Sequence, residues 1–184
     1  MILDIAQDLL TVADYERMIT EGRLTENDRV ELIEGRIVPM SPKGTHHAAC
    51  VTRLNRILSQ QAGAQFIVRI QDPIRLKTSE PEPDVVLAQW QDDVYESGHP
   101  KPGDILLLIE VSDSTLADDR NVKCILYAQA GIPEYWIVNL PGQAVEIYIA
   151  PQDGVYQQLD VRRPGETLTA TTLPGLTLQV SDIL

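Results

Sequence analysis

An acid stands where the chain's pattern asks for an apolar side chain: Glu110 follows the run Ile105-Leu106-Leu107-Leu108-Ile109 and precedes Val111. Such a run reads as a strand buried on both faces. A lone carboxylate there is costly unless a cation or hydrogen-bond donors meet it. Asp84 repeats the pattern in Pro83-Asp84-Val85-Val86-Leu87, where the proline makes the preceding stretch extended and the carboxylate opens an apolar strand. The bland alternatives are an acid emerging into solvent at a strand end for Glu110, and a Pro-Asp turn pair for Asp84. Two acids on adjacent strand ends would instead form a hard oxygen site suited to Mg2+ or Mn2+, with water and a substrate phosphate completing the shell. An ion held so polarises a phosphate and generates hydroxide. Hydrolysis also calls for a fixed positive charge beside the attacking water or the developing oxyanion. Lys123 is the candidate. It follows Glu110 by 13 residues, on a helix expected to pack back beside that strand. Asp119, Lys123 and Tyr127 fall at i, i+4 and i+8 and so line one helical face, although an ordinary Asp–Lys surface pair has the same spacing.

Two further residues are secondary candidates. In Val30-Glu31-Leu32-Ile33, strand alternation puts Glu31 on the face of Ile33, opposite Val30 and Leu32. There it is either a third carboxylate or a hairpin acid paired with an arginine. His47 falls on the inward stripe of a helix, where a satisfied core histidine competes with a site role.

The elements that must position these groups follow from the punctuation of the chain. Thr11 and Asp14 form a capping signal for a short helix to about Thr20. Val30 to Ile33 and Arg36 to Met40 flank Glu34-Gly35 as a hairpin. After Ser41-Pro42, with Thr45 as cap, Cys50, Val51, Leu54, Ile57 and Leu58 give helical spacing from His46 to about Gln61, and Arg53, Arg56 and Gln60 lie off that stripe. An extended segment Gln65 to Leu76, a short strand Asp84 to Ala88 and the central strand Ile105 to Val111 come next. A helix then starts at Ser114 or Thr115 and runs to about Ala130, stopped by Gly131 and Pro133. Tyr135 to Asn139 and Ala144 to Ile149, joined by Pro141-Gly142, open a β-rich end punctuated by Asp153-Gly154 and Pro164-Gly165. The expected fold is an α/β (α+β) sandwich with a mixed sheet and flanking helices.

At 184 residues with 43% hydrophobic content, the chain is expected to form one domain around one core. No apolar run reaches membrane-spanning length, and the start, with Asp4 and Asp8 among its apolar residues, lacks the layout of a signal peptide. A cytoplasmic location is expected. Cys50 and Cys124 have no metal-ligand spacing and read as buried thiols. The net charge of −12 argues against a protein that coats nucleic acid nonspecifically. From Lys43 to Ser79, however, Lys43, Arg53, Arg56, Arg69, Arg75 and Lys77 face a single acid, Asp72; the segment carries +5 and leaves −17 for the rest. That stretch would meet a polyanion, unless its charges simply coat solvated faces. Trp136 and Tyr135 read as core or interface residues.

Pro83-Asp84 followed by Glu110-Val111-Ser112 resembles the PD-(D/E)XK nuclease signature. Glu31-Leu32-Ile33-Glu34-Gly35, Ser41-Pro42, His47, Asp119-Arg120, Lys123, Tyr127 and Glu134-Tyr135-Trp136 are together similar to the Uma-type family of restriction endonucleases, from about Thr11 to Leu184. The resemblance implies a restriction-endonuclease-like core with a C-terminal β meander, one or two divalent ions (Mg2+ or Mn2+), DNA as substrate with RNA not excluded, and homodimerisation. By it Asp84 and Glu110 are metal ligands and Lys123 is the catalytic lysine, with Glu31 and His47 also in the site. Gln71 matches a recurrent family position, where it would bind water or phosphate, unless it is an ordinary polar strand residue. The chain departs from the superfamily pattern at Ser112, where the signature has lysine; the helix would supply that charge through Lys123. The expected function is metal-dependent hydrolysis of phosphodiesters. The rival readings are a catalytically silent nuclease fold serving as a nucleic-acid-binding or regulatory module, and hydrolysis of another phosphoester.

Overall fold

A computed structural model describes residues 9–25 and 27–184. The N-terminal expectation resting on Asp4 and Asp8 lies outside them. Helix α1 (Val12–Thr20) begins with the expected capping box: the Thr11 hydroxyl accepts from the Asp14 N–H, and the Asp14 carboxylate accepts from the Thr11 N–H. Strands β1 (Val30–Ile33) and β2 (Arg36–Pro39) form an antiparallel hairpin. Its two turn residues, Glu34 at φ 47 and Gly35 at φ 76, both occupy the left-handed region that a two-residue hairpin turn requires. A side chain at Gly35 would also strike the Leu10 carbonyl at 2.9 Å, so glycine is demanded twice there.

Helix α2 (Thr45–Ala62) is capped by Gly44, not by Thr45, which is itself the first helical residue. Strand β3 (Phe66–Ile70) is shorter than the extended segment expected to Leu76, because Gln71 takes φ 56 and Pro73 follows. Strands β4 (Val85–Gln89) and β5 (Ile105–Ser112) come next. The single helix expected from Ser114 or Thr115 is three pieces: α3 (Leu116–Asp118), a π-helical turn (Asp119–Lys123) and α4 (Cys124–Ala130). It ends as expected at Gly131 in the left-handed conformation. Strands β6 (Glu134–Asn139), β7 (Ala144–Gln152) and β8 (Val155–Arg162) follow, then a small hairpin of β9 (Thr167–Thr169) and β10 (Thr177–Gln179), then α5 (Val180–Ile183).

The main sheet has six strands in the order β3-β4-β5-β6-β7-β8. Every neighbouring pair is antiparallel except β5–β6, which are parallel and joined by the α3–α4 crossover, the connection that parallel strands need. With β6 to β8 as the meander, this is the expected restriction-endonuclease-like arrangement. Alternation splits the core into two layers. Leu107, Ile109 and Val111 of β5 pack under Leu54 and Leu58 of α2 and the C-terminal Leu168, Leu178 and Ile183. On the other face Leu108 joins Leu126 and Tyr127 of α4 with Tyr135 and Ile137 of β6. Trp136 and Tyr135 are therefore core residues on opposite faces. The C-terminal layer is pinned by buried Glu134, whose Oε2 accepts the Thr171 N–H at 2.8 Å and the Thr171 hydroxyl at 2.6 Å. Among the described residues no helix is long and apolar enough to cross a membrane.

Two sequence expectations need correction. Cys50 is a buried thiol, whereas Cys124 is only half-buried. The basic stretch is not one free surface: Arg69 pairs with Asp72, Arg75 with Glu16, and Arg53 donates to the Leu184 carbonyl at 2.9 Å.

Candidate functional site

Glu110 lies on β5 between Ile109 and Val111, both of which face α2, so alternation turns its side chain to the α4 face. It is 3% exposed, and the π-helical turn together with α4 supplies what a buried carboxylate needs. Lys123 Nζ donates to Glu110 Oε1 at 3.0 Å and the Tyr127 hydroxyl donates to the same oxygen at 2.9 Å. The Asp84 N–H reaches Glu110 Oε2 at 3.3 Å. Asp84, at the mouth of β4, sits where both layers end and receives donors from each side. His47 Nε2 of α2 lies 2.9 Å from Asp84 Oδ2, the Val111 N–H donates to that oxygen at 2.9 Å, and Gln71 Nε2 donates to Oδ1 at 3.0 Å. The hairpin brings Glu31 in from the side: its Oε2 accepts the Glu82 N–H at 3.1 Å, and its Oε1 lies 3.7 Å from Lys123 Nζ. Asp84, Glu110, Lys123, Glu31 and His47, all singled out in the sequence, thus line one cavity of about 350 Å3.

The π-helical turn is the local device that aims the helix. It inserts a wider turn at Asp119–Lys123, and such turns recur at functional sites. Asp119, buried, accepts from the Ser112 hydroxyl at 2.6 Å and the Thr115 hydroxyl at 2.7 Å. Ser112, at the position where the signature has lysine, therefore anchors the helix that carries Lys123.

Burial pushes the Glu110 carboxyl up to about 8; Lys123 opposes the rise, and Asp84, Asp119 and Glu31 add to it. Burial also works against the Lys123 ammonium, but the attraction of Glu110, Glu31 and Asp119 overrides it and holds the pKa above the ordinary lysine range. For Asp84 burial would raise the carboxyl; the His47 contact, the Val111 N–H and Gln71 outweigh it and lower it. The cavity lining carries seven acids, Glu31, Glu82, Asp84, Glu110, Asp113, Asp118 and Asp119, against two lysines, Lys43 and Lys123. A site of that balance attracts cations and repels a bare phosphate.

The donor set fits a divalent ion. A carboxylate oxygen has about two acceptor positions. Asp84 Oδ2 and Glu110 Oε1 each take two donors, whereas Asp84 Oδ1 and Glu110 Oε2 each take one. Each acid keeps an oxygen with capacity to spare. Among the described residues no three His, Cys, Asp or Glu side chains form a ready-made metal cage. Two contributors carried little sequence signal. Tyr127 was legible as a member of the helical face and of the family match, not as a donor to Glu110. Gln71 had only the family resemblance to separate it from an ordinary polar strand residue, and its contact with Asp84 now marks it.

Comparison with known proteins was informative at the level of family and fold. The Uma2 family, described as "Putative restriction endonuclease", matches residues 12–181. A solved structure described as a putative nuclease belonging to DUF820 from Anabaena variabilis ATCC 29413 is similar at TM-score 0.63 and 19% identity, covering 95% of this chain and 97% of that one. A likeness to the type IIG restriction endonuclease BpuSI has TM-score 0.42 and 17% identity and covers 65% of this chain and 14% of that one. No curated protein matches the chain.

Proposed function

The chain belongs to the Uma2 family, and from that premise we propose that it is a metal-dependent endonuclease that hydrolyses phosphodiester bonds in DNA. The observation that carries this reading is the meeting of Asp84, Glu110 and Lys123, from two strands and a helix, in one acid-lined cavity. Asp84 and Glu110 would hold Mg2+ or Mn2+ through their spare oxygens. Such an ion supplies polarisation of the phosphate and activation of water. Everything else is done by the chain's own groups. His47, Gln71 and the Val111 N–H keep the Asp84 carboxylate ionised and fix its direction. Tyr127 and Lys123 hold Glu110 by one oxygen and leave the other toward the cavity. Glu31 steadies the Lys123 ammonium, which stays charged and stabilises negative charge developing on the phosphate. A single domain acting in the cytoplasm as a homodimer is part of the same reading.

The test is cleavage by purified protein with Mg2+ or Mn2+ on supercoiled plasmid, single-stranded DNA and RNA. Cutting is expected on DNA, with a loss of about 100-fold or more in Asp84→Ala, Glu110→Ala and Lys123→Ala. Nicking that persists in those variants, or its complete absence with every substrate and ion, would overturn the proposal.

A further inference from the structure

Beside the acidic cavity lies a second, of about 460 Å3, whose lining has the opposite balance of charge. The two share Met40, Lys43 and Glu82, which makes them adjoining compartments of one groove. Arg29 and Lys43 are two cations on the second lining against one acid, Glu82. Among the described residues the ion pairs take up Arg17, Arg23, Arg69, Arg75, Arg120 and Arg162, but neither Arg29 nor Lys43. Both of these cations are exposed to solvent. The placement of Arg29 is fixed by the fold. Its backbone is held at φ 45, in the left-handed region, and its carbonyl accepts the Met40 N–H at 2.9 Å at the open end of the β1–β2 hairpin. Gln71 lines the second compartment while its amide donates to Asp84 in the first. Ile19, Leu24 and Met40 add apolar surface to the same lining as the cations.

A strand laid in this groove meets repulsion in the first compartment and needs its neighbouring backbone charge neutralised elsewhere. We infer that the second compartment is a subsite for the nucleotide next to the scissile one: Arg29 and Lys43 receive its phosphate, and the apolar surface of Ile19, Leu24 and Met40 takes sugar and base. The inference rests on the nuclease reading and adds to it where the strand is gripped. Contacts of this kind bind backbone and read no sequence.

The experiment is equilibrium binding of fluorescein-labelled single-stranded DNA and RNA oligonucleotides of several sequences across a salt series, in an Asp84→Ala background that keeps the probes intact. Arg29→Ala and Lys43→Ala should each weaken binding similarly for all sequences and flatten the log–log salt dependence by about 0.7, the share of one single-strand phosphate contact. Arg29→Lys and Lys43→Arg should restore the slope, which a merely structural role would not do. Lys77→Ala, on an exposed loop, should leave it unchanged. Slopes unaltered in both alanine variants would overturn the subsite and leave the nuclease reading intact if the parent protein cuts plasmid. Flattened slopes in a chain whose parent cuts nothing would support the grip and reject the nuclease. No binding of either nucleic acid would reject both.

Discussion

Glu80 offers a sharp test of how burial shapes this fold. It is 3% exposed, and its Oε2 has no hydrogen-bond partner among the described residues. Its backbone pairs with Leu32, donating at 2.8 Å, and so ties down the strand that carries Glu31. Burial pushes the carboxyl up from 4.5 to about 7; Glu16 and Glu82 add to the rise and Arg75 opposes it. Between those values the folded chain keeps a proton that the unfolded chain has released. The stabilisation is therefore complete below 4.5 and is lost as pH rises through about 7. At roughly 1.4 kcal/mol for each pH unit of that gap, the fall between about pH 5 and pH 8 should be about 2–3 kcal/mol. Glu80→Gln cannot titrate, and its buried amide costs the same at every pH. Urea unfolding of both proteins across this range, compared as the difference in stability, cancels the other carboxylates. The wild-type advantage over the variant should shrink by that amount as pH rises. Curves that stay parallel within about 0.5 kcal/mol would refute the reasoning, since single-site differences of that size are ordinary.

Lys123→Met should destabilise the fold by about 1–3 kcal/mol, since buried Glu110, already held up to about 8, loses a donor and its counter-charge and keeps a proton instead, whereas Lys123→Met/Glu110→Gln should recover part of that; strictly additive urea midpoints would contradict the pairing. Tyr127→Phe deletes one donor to Glu110 while Lys123 keeps the same oxygen satisfied, so a loss of about 1–3 kcal/mol at unchanged denaturant slope is expected. An unchanged midpoint would show that the hydroxyl does not support the carboxylate.

The five candidate site residues were legible for different reasons. Glu110 and Asp84 stood out because carboxylates conflict with the apolar runs around them, and the helix expected to pack back beside β5 made Lys123 their partner. Periodicity turned His47 and Glu31 inward, and only the family resemblance gave them a place in the site. What periodicity does not carry was missed. A π-helical turn changes the spacing of one turn without a distinctive residue, so the helix read as continuous from Ser114 or Thr115. Gln71 and Arg29 adopt positive φ because tertiary contacts hold them there, against the preference of their side chains. The basic stretch stayed open between a polyanion site and solvated faces because charge summed along a chain ignores partners such as Glu16, which lies 59 residues from Arg75 in sequence. The second compartment depends on α1, the hairpin and β3 meeting, which no local pattern encodes.

The central claim is that Asp84 and Glu110 together hold a divalent ion within reach of Lys123. Crystals soaked in Mn2+ and measured at the manganese absorption edge test it directly. Anomalous density should touch both carboxylates, with the Lys123 ammonium beside the same solvent shell, and should vanish in Glu110→Ala. A peak that avoids both acids, or none at saturating manganese, would contradict it.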